Sequence, residues 1–122
     1  MPTYPISGKL WIVQLCENLS RHVYRTTKYW PKLEKDYLVE QWRHSTDSIG
    51  VNISEGYART HTKERLHFYS LAQGSLEESL YWLRRARDRR LVSEQQSSML
   101  SELFIKLARA LENFIFQQGK GR

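Results

Sequence analysis

A chain of 122 residues with four Trp, seven Tyr and four Phe has enough large apolar side chains for one core and too few residues for two, which excludes both a disordered chain and a two-domain one. Nineteen Lys and Arg against thirteen Asp and Glu leave a formal charge of +6, compatible with a polyanionic partner such as nucleic acid and equally with simple solubility. The single Cys forms no internal disulfide, which fits a reducing cytoplasm, and neither a basic-then-apolar leader nor a run of about 18 apolar residues is present, so secretion and membrane spanning are not expected.

Leu10, Val13, Cys16, Leu19 and Val23 recur at spacings of three and four and predict a first helix over residues 8–29. It stops at Trp30-Pro31, where the proline ring and its missing N–H end the ladder. Leu38, Trp42, Ile49 and Ile53 predict a second over 34–56, with Gly50 a weak interior point and Gly56 a stop, because glycine accepts the left-handed conformation that closes a helix. Within it, Gln41 to Gly56 carries a second stripe: at about 100° per residue, Ser45, Ser48, Asn52 and Glu55 share an arc beside the apolar one. Short hydroxyls, an amide and a carboxylate at the edge of a core suggest a seam where another helix or subunit comes close. Thr62 is the expected N-cap of a third helix over 62–89, with Glu64 near the positive end of its dipole and Phe68, Leu71, Ala72, Leu76, Leu80 and Leu83 on its apolar side. Ser93 followed by Gln96 is a capping-box pattern that opens a fourth over 94–118, through Leu100, Leu103, Leu107, Leu111 and Phe114, before a short basic C-terminal tail. No segment alternates as a strand does. The expected fold is therefore all-α, an up-down-up-down antiparallel four-helix bundle forming one domain over 1–122.

Catalytic and metal chemistry find little footing in this pattern. A di-iron bundle needs two Glu-x-x-His pairs, whereas Glu64 and His67 make one here, in the first turn of the third helix. His22, His44, His61 and His67 have no nucleophile or carboxylate spaced to share a face as a catalytic set, and His44 with Asp47 or Ser48 reads as a local helix contact. Glu55 and Glu78 most invite an acid–base role, but pairing with Arg or capping by backbone donors is the structural account of a carboxylate in a basic chain. The expectation is a non-enzyme without metal or cofactor.

Charge is densest where Arg84, Arg85, Arg87, Arg89 and Arg90 crowd the end of the third helix around Asp88. Planar guanidinium forks suit phosphate oxygens. Cations at a helix C-terminus also complement its dipole, and Arg84 with Asp88 makes an i,i+4 pair, so the cluster has a purely local account as well. Arg59, Lys63 and Arg65 form a second basic group at the link between helices two and three, which antiparallel packing places at the opposite end of the bundle. In a ring of subunits each end becomes a basic annulus that multiplies weak phosphate sites. Tyr81 and Trp82 precede the arginines and can stack on bases, although helical spacing turns at least one of them toward the core or an interface.

Gln41-Trp-Arg43, Ser48-Ile49, Asn52-Ile53-Ser54-Glu55-Gly56-Tyr57-x-Arg59 and then Ala72-x-Gly74-Ser75-Leu76-x-Glu78 resemble the four-helix-bundle family first noted in open reading frames within intervening sequences of bacterial 23S rRNA genes. The accessory variability proteins of diversity-generating retroelements look like relatives of the same family. The resemblance implies a protomer assembled as a ring-like homopentamer, with a basic surface and no known catalytic residues. For retroelement members it implies binding of RNA or DNA and of a reverse transcriptase. It also pairs helix two with Gly74, Ser75 and Glu78, so that Arg43, Ser48, Asn52, Glu55, Ser75 and Glu78 are expected to form a structural polar network. The chain departs from the family pattern at His44, where a second Arg is usual, and at Gly50, where Pro is usual. The expectation is a cytoplasmic, non-catalytic, homo-oligomeric nucleic-acid-binding accessory protein. Arg84, Arg85, Arg87, Arg89 and Arg90 first, and Arg59, Lys63 and Arg65 second, contact RNA or RNA/DNA-hybrid phosphates. The alternative is a protein-interaction scaffold that docks an acidic partner and has no direct nucleic-acid role.

Overall fold

The computed structural model describes residues 11–120, side chains at 34–36 and 120 excepted. It is all-α. The four main helices are α1 (Trp11–Thr27), α2 (Glu40–Tyr57), α3 (Thr62–Asp88) and α4 (Glu94–Lys120). A short helical turn, Lys32–Glu34, and a π-helical turn, Lys35–Val39, lead into α2. Each helix packs on two others: α1 on α2 and α4, and α3 on α2 and α4, with the α2–α3 contact the most extensive. Arg65 in the first turn of α3 donates to Gln118 Oε1 near the end of α4 at 3.2 Å, a contact that antiparallel helices alone allow. Among the described residues there is no strand.

The core is continuous along the bundle. Trp42, Ile49 and Ile53 of α2, with Leu38 of the π-helical turn, are fully buried, as their spacing predicts. On the other three helices most of each expected stripe is buried, Cys16, Leu19 and Val23 on α1, Ala72, Leu76 and Leu83 on α3, and Leu100, Leu107 and Leu111 on α4, and the differences lie at the stripe edges. On α1, Ile12 is buried while Val13 is half-buried, and Leu10 lies outside the described residues. On α3, Tyr69, Ala72, Leu76, Ser79, Leu83 and Ala86 face inward, which leaves Phe68 and Leu80 half-buried and Leu71 exposed. On α4, Phe104 is buried, and Leu103 and Phe114 are half-buried. A helix wedged between two neighbours buries a broad arc, and the neighbours decide where its centre falls.

The helix ends follow local chemistry in some places and packing in others. Ser93 N–H donates to Gln96 Oε1 at 2.9 Å and Gln96 N–H donates to Ser93 Oγ at 3.0 Å, so the reciprocal capping box at the start of α4 is formed. Thr62 is the first helical residue of α3 rather than its N-cap; the extended His61 precedes it and makes no side-chain cap. Gly56 does not stop α2. The helix runs on to Tyr57, Ala58 closes it in the right-handed region, and no described glycine has a positive φ. Gly56 serves close approach instead, because a Cβ there would stand 2.7 Å from Tyr69 Cε1 and 2.9 Å from Phe68 Cβ.

The polar contact that joins α2 to α3 involves residues other than the expected six. Trp42 Nε1 donates to Ser79 Oγ at 3.1 Å, and Ser79 Oγ lies 2.6 Å from Thr46 Oγ1. Thr46 Oγ1 in turn donates to Trp42 O at 2.7 Å. With Ser79 donating to Thr46, each donor of this buried trio has an acceptor, which removes the desolvation penalty of an orphaned group. The six residues expected to form one network are spread over separate contacts. Arg43 donates to Thr27 Oγ1 at 2.9 Å and to Tyr24 O at 3.2 Å, and its guanidinium lies 4.2 Å from the Tyr24 ring centroid, so it ties α2 to α1. Asn52 donates within its own helix to Ser48 O at 2.9 Å, and Glu55 pairs with Arg59 at 3.2 Å on the surface. Ser75 is half-buried and Glu78 exposed on α3. The cause is rotational: α3 covers the arc of Trp42, Thr46, Ile53 and Gly56, while α1 approaches beside Arg43 and Gly50. The arc of Ser48, Asn52 and Glu55 is left at the rim. Ser45, expected at a close-packed seam, is buried and donates to Trp42 O at 3.1 Å.

Candidate nucleic-acid interface

The end of α3 owes its shape to two crossed backbone bonds. Leu91 N–H reaches back to Ala86 O at 2.9 Å and Arg90 N–H to Arg87 O at 3.0 Å, a Schellman closure. Its left-handed position is taken by Arg90, at φ 58°, where glycine is usual. Leu91 packs on the core and fixes the exit direction. The chain then turns directly into the capping box of α4.

This geometry brings Arg84, Arg85, Arg87 and Arg90 to one open groove with the serines of the opening turns of α4, namely Ser93, Ser97, Ser98 and Ser101. Angles along a straight helix fan the five arginines apart. Four of them nevertheless line one groove, Arg90 from beyond the helix end. Arg89, also exposed, is outside the groove lining. Two carboxylates share the groove, Asp88 and Glu94. Asp88 pairs with Arg85, three residues back, rather than with Arg84 four residues back. Arg85 Nε is buried and has no acceptor among the described residues. Four guanidinium groups against two carboxylates, beside the positive end of α4, make a local field that favours an anion. The serine hydroxyls are the part that sequence reasoning missed; they recur at helical spacing on α4 but carry no charge to draw attention.

The second basic group is largely engaged in holding the opposite end of the bundle together. Arg65 donates to Arg59 O at 2.9 Å, to Tyr57 O at 3.0 Å and to Gln118 Oε1, bracing the α2–α3 link against α4. Arg59 pairs with Glu55 and lies 4.7 Å from the Phe68 ring centroid. Lys63 is exposed beside Glu64 and His67.

A third surface has the opposite sign. Between α1 and α2 a groove is lined by Glu17, Asp47 and Glu55, with Arg59 at one end. Cys16 and Gly50 also line it, at a close approach where a Cβ at Gly50 would stand 3.2 Å from Cys16 Cβ. Burial, and then the neighbouring Glu17 carboxylate, push the Cys16 thiol up to about 12, so it is a packing residue and not a nucleophile at neutral pH. Among the described residues no group of three or more His, Cys, Asp or Glu is placed to hold a metal ion, and no helix is long and apolar enough to cross a membrane.

No curated protein matches the chain. The family model of the 23S rRNA-intervening sequence protein matches residues 8–113, from ahead of α1 through most of α4, and the chain belongs to that family.

Proposed function

We propose that this chain is a non-catalytic, homo-oligomeric nucleic-acid-binding protein, and that it holds RNA by its phosphates in the groove between the end of α3 and the start of α4. The observation that carries this reading is the convergence of Arg84, Arg85, Arg87 and Arg90 on a row of α4 hydroxyls. Guanidinium forks bind phosphate oxygens through paired, charge-assisted hydrogen bonds, and serine hydroxyls add neutral donors at the same spacing. Such contacts position a backbone and read no bases. Membership of a 23S rRNA-intervening sequence family is compatible with an RNA-related role. Replacing the four arginines by Gln should weaken binding to all RNA sequences alike and should reduce the slope of log affinity against log salt by about 3, at roughly 0.7–0.9 per lost phosphate contact. Lys63→Gln should change it by no more than about 1. A slope that the fourfold variant leaves unchanged places the RNA elsewhere.

A protein-interaction scaffold is the second reading, favoured by the carboxylate-lined groove between α1 and α2. On a chain of net charge +6, an acidic face is suited to the basic face of a second copy, the reverse of the acidic partner that net charge alone suggests. Glu17→Lys combined with Asp47→Lys should lower the mass measured by light scattering and leave the monomer's RNA affinity in place. An unchanged mass removes this groove from the assembly.

A further inference from the structure

The arginine groove adjoins a set of aromatic rings that phosphate binding does not use. Tyr37, in the π-helical turn ahead of α2, and Tyr81, one turn before Arg85 on α3, are 58% and 45% exposed. Both stand nearly perpendicular to Trp82: Tyr37 at 5.7 Å between centroids and 84°, Tyr81 at 5.0 Å and 79°. Trp82 is only 9% exposed and touches both exposed rings. Its indole N–H has no acceptor among the described residues, and the ring is part of the hydrophobic core. The cluster is continuous with the groove through one side chain, because the Arg85 guanidinium lies 5.4 Å from the Tyr81 centroid and also lines the groove.

Rings half in water contribute less burial to stability than rings inside. Tyr37 lies in the π-helical turn, a widening that is frequent at functional sites. Tyrosine faces beside guanidinium groups match the chemistry of an unpaired nucleotide, which presents a π face and a phosphate about one residue apart. A duplex presents its phosphates and 2′-hydroxyls but keeps its base faces stacked inside.

We propose that Tyr37 and Tyr81 are stacking platforms for unpaired bases, and that the ligand of the arginine groove is single-stranded RNA. This rests on the phosphate-binding reading of the groove and adds the form of RNA that it takes.

The test is fluorescence anisotropy at one salt concentration with three labelled probes of about 12 nucleotides, a length that spans one such surface: a single strand, its duplex, and a strand of abasic residues. The unmodified protein should bind the base-bearing strand at least about 10-fold more tightly than the abasic one. Tyr37→Leu combined with Tyr81→Leu should weaken single-strand binding by about 5- to 150-fold per stacked base while changing duplex binding less than about twofold. Tyr37→Phe with Tyr81→Phe should retain single-strand binding, because the ring and not the hydroxyl does the stacking. Equal affinity for abasic and base-bearing strands, or equal losses on single strand and duplex, overturns the stacking assignment and leaves the phosphate groove standing. Failure of the unmodified protein to bind any of the three probes overturns the groove itself, and the stacking assignment falls with it.

Discussion

Gly56 and Gly74 look alike as letters inside a helical pattern, yet their surroundings are opposite. A methyl group at Gly56 runs into the Tyr69 ring and into Phe68 Cβ, which is anchored to the α3 backbone and has no freedom to retreat. Gly56→Ala should therefore destabilise the protein by about 1–3 kcal/mol, the usual cost of overpacking. At Gly74 a Cβ meets nothing within 4 Å. Gly74→Ala should stabilise by up to about 1 kcal/mol, because the helix gains propensity and the unfolded chain loses freedom. Urea denaturation of both variants checks the pair; equal effects would mean that the α2–α3 approach is not what keeps Gly56 small. The same contrast separates Ser79 from Glu78. One is buried in the trio with Trp42 and Thr46 and the other is in water, although both are polar and adjacent.

Among the elements, the end of α3 combines stability and binding in one residue. Arg90 occupies a left-handed position that costs an L-residue about 1 kcal/mol and costs glycine nothing. Arg90→Gly should raise the melting temperature and at the same time lower RNA affinity, reducing the salt slope by about 0.7–0.9. A loss of stability together with affinity would show that the Arg90 side chain holds the turn and not a ligand. The two ends of this link also show which local signals can be read from letters. The capping box of α4 is written in residue types, Ser93 and Gln96, at a fixed spacing. The Schellman closure three residues earlier carries no glycine, and the π-helical turn of Lys35–Val39 carries no marker at all.

For the whole molecule, core burial sets a pH limit. Burial pushes the Cys16 thiol from its ordinary 9.0 and the Tyr69 phenol from 10.0 up to about 12 in each case. The folded protein thus keeps two protons that the unfolded chain releases earlier. Stability is fully present below about pH 9 and declines as pH rises toward about 12, by up to about 1.4 kcal/mol per pH unit for each group. Denaturation midpoints across that window should fall, and Cys16→Ala together with Tyr69→Phe should flatten the decline. A decline that the double variant leaves unaltered assigns it to other groups. Tyr69→Phe also removes a buried hydroxyl that has no partner among the described residues.

By itself the sequence determined four helices and their antiparallel order. Apolar spacing, proline, caps and short links are local properties, and each acts within a turn or two of where it is written. Only the tertiary structure decided where the edges of each buried face fall and which of two adjacent apolar residues lies innermost. Phe68 and Tyr69 are one residue apart, and a rotation of about 100° exchanges them; spacing alone does not distinguish the two settings when both are apolar. The same freedom hid the buried trio of Trp42, Thr46 and Ser79, the internal bracing by Arg65, and the meeting of four arginines with the α4 serines. Each of these depends on how two helices are rotated against one another, a quantity that no single helix encodes.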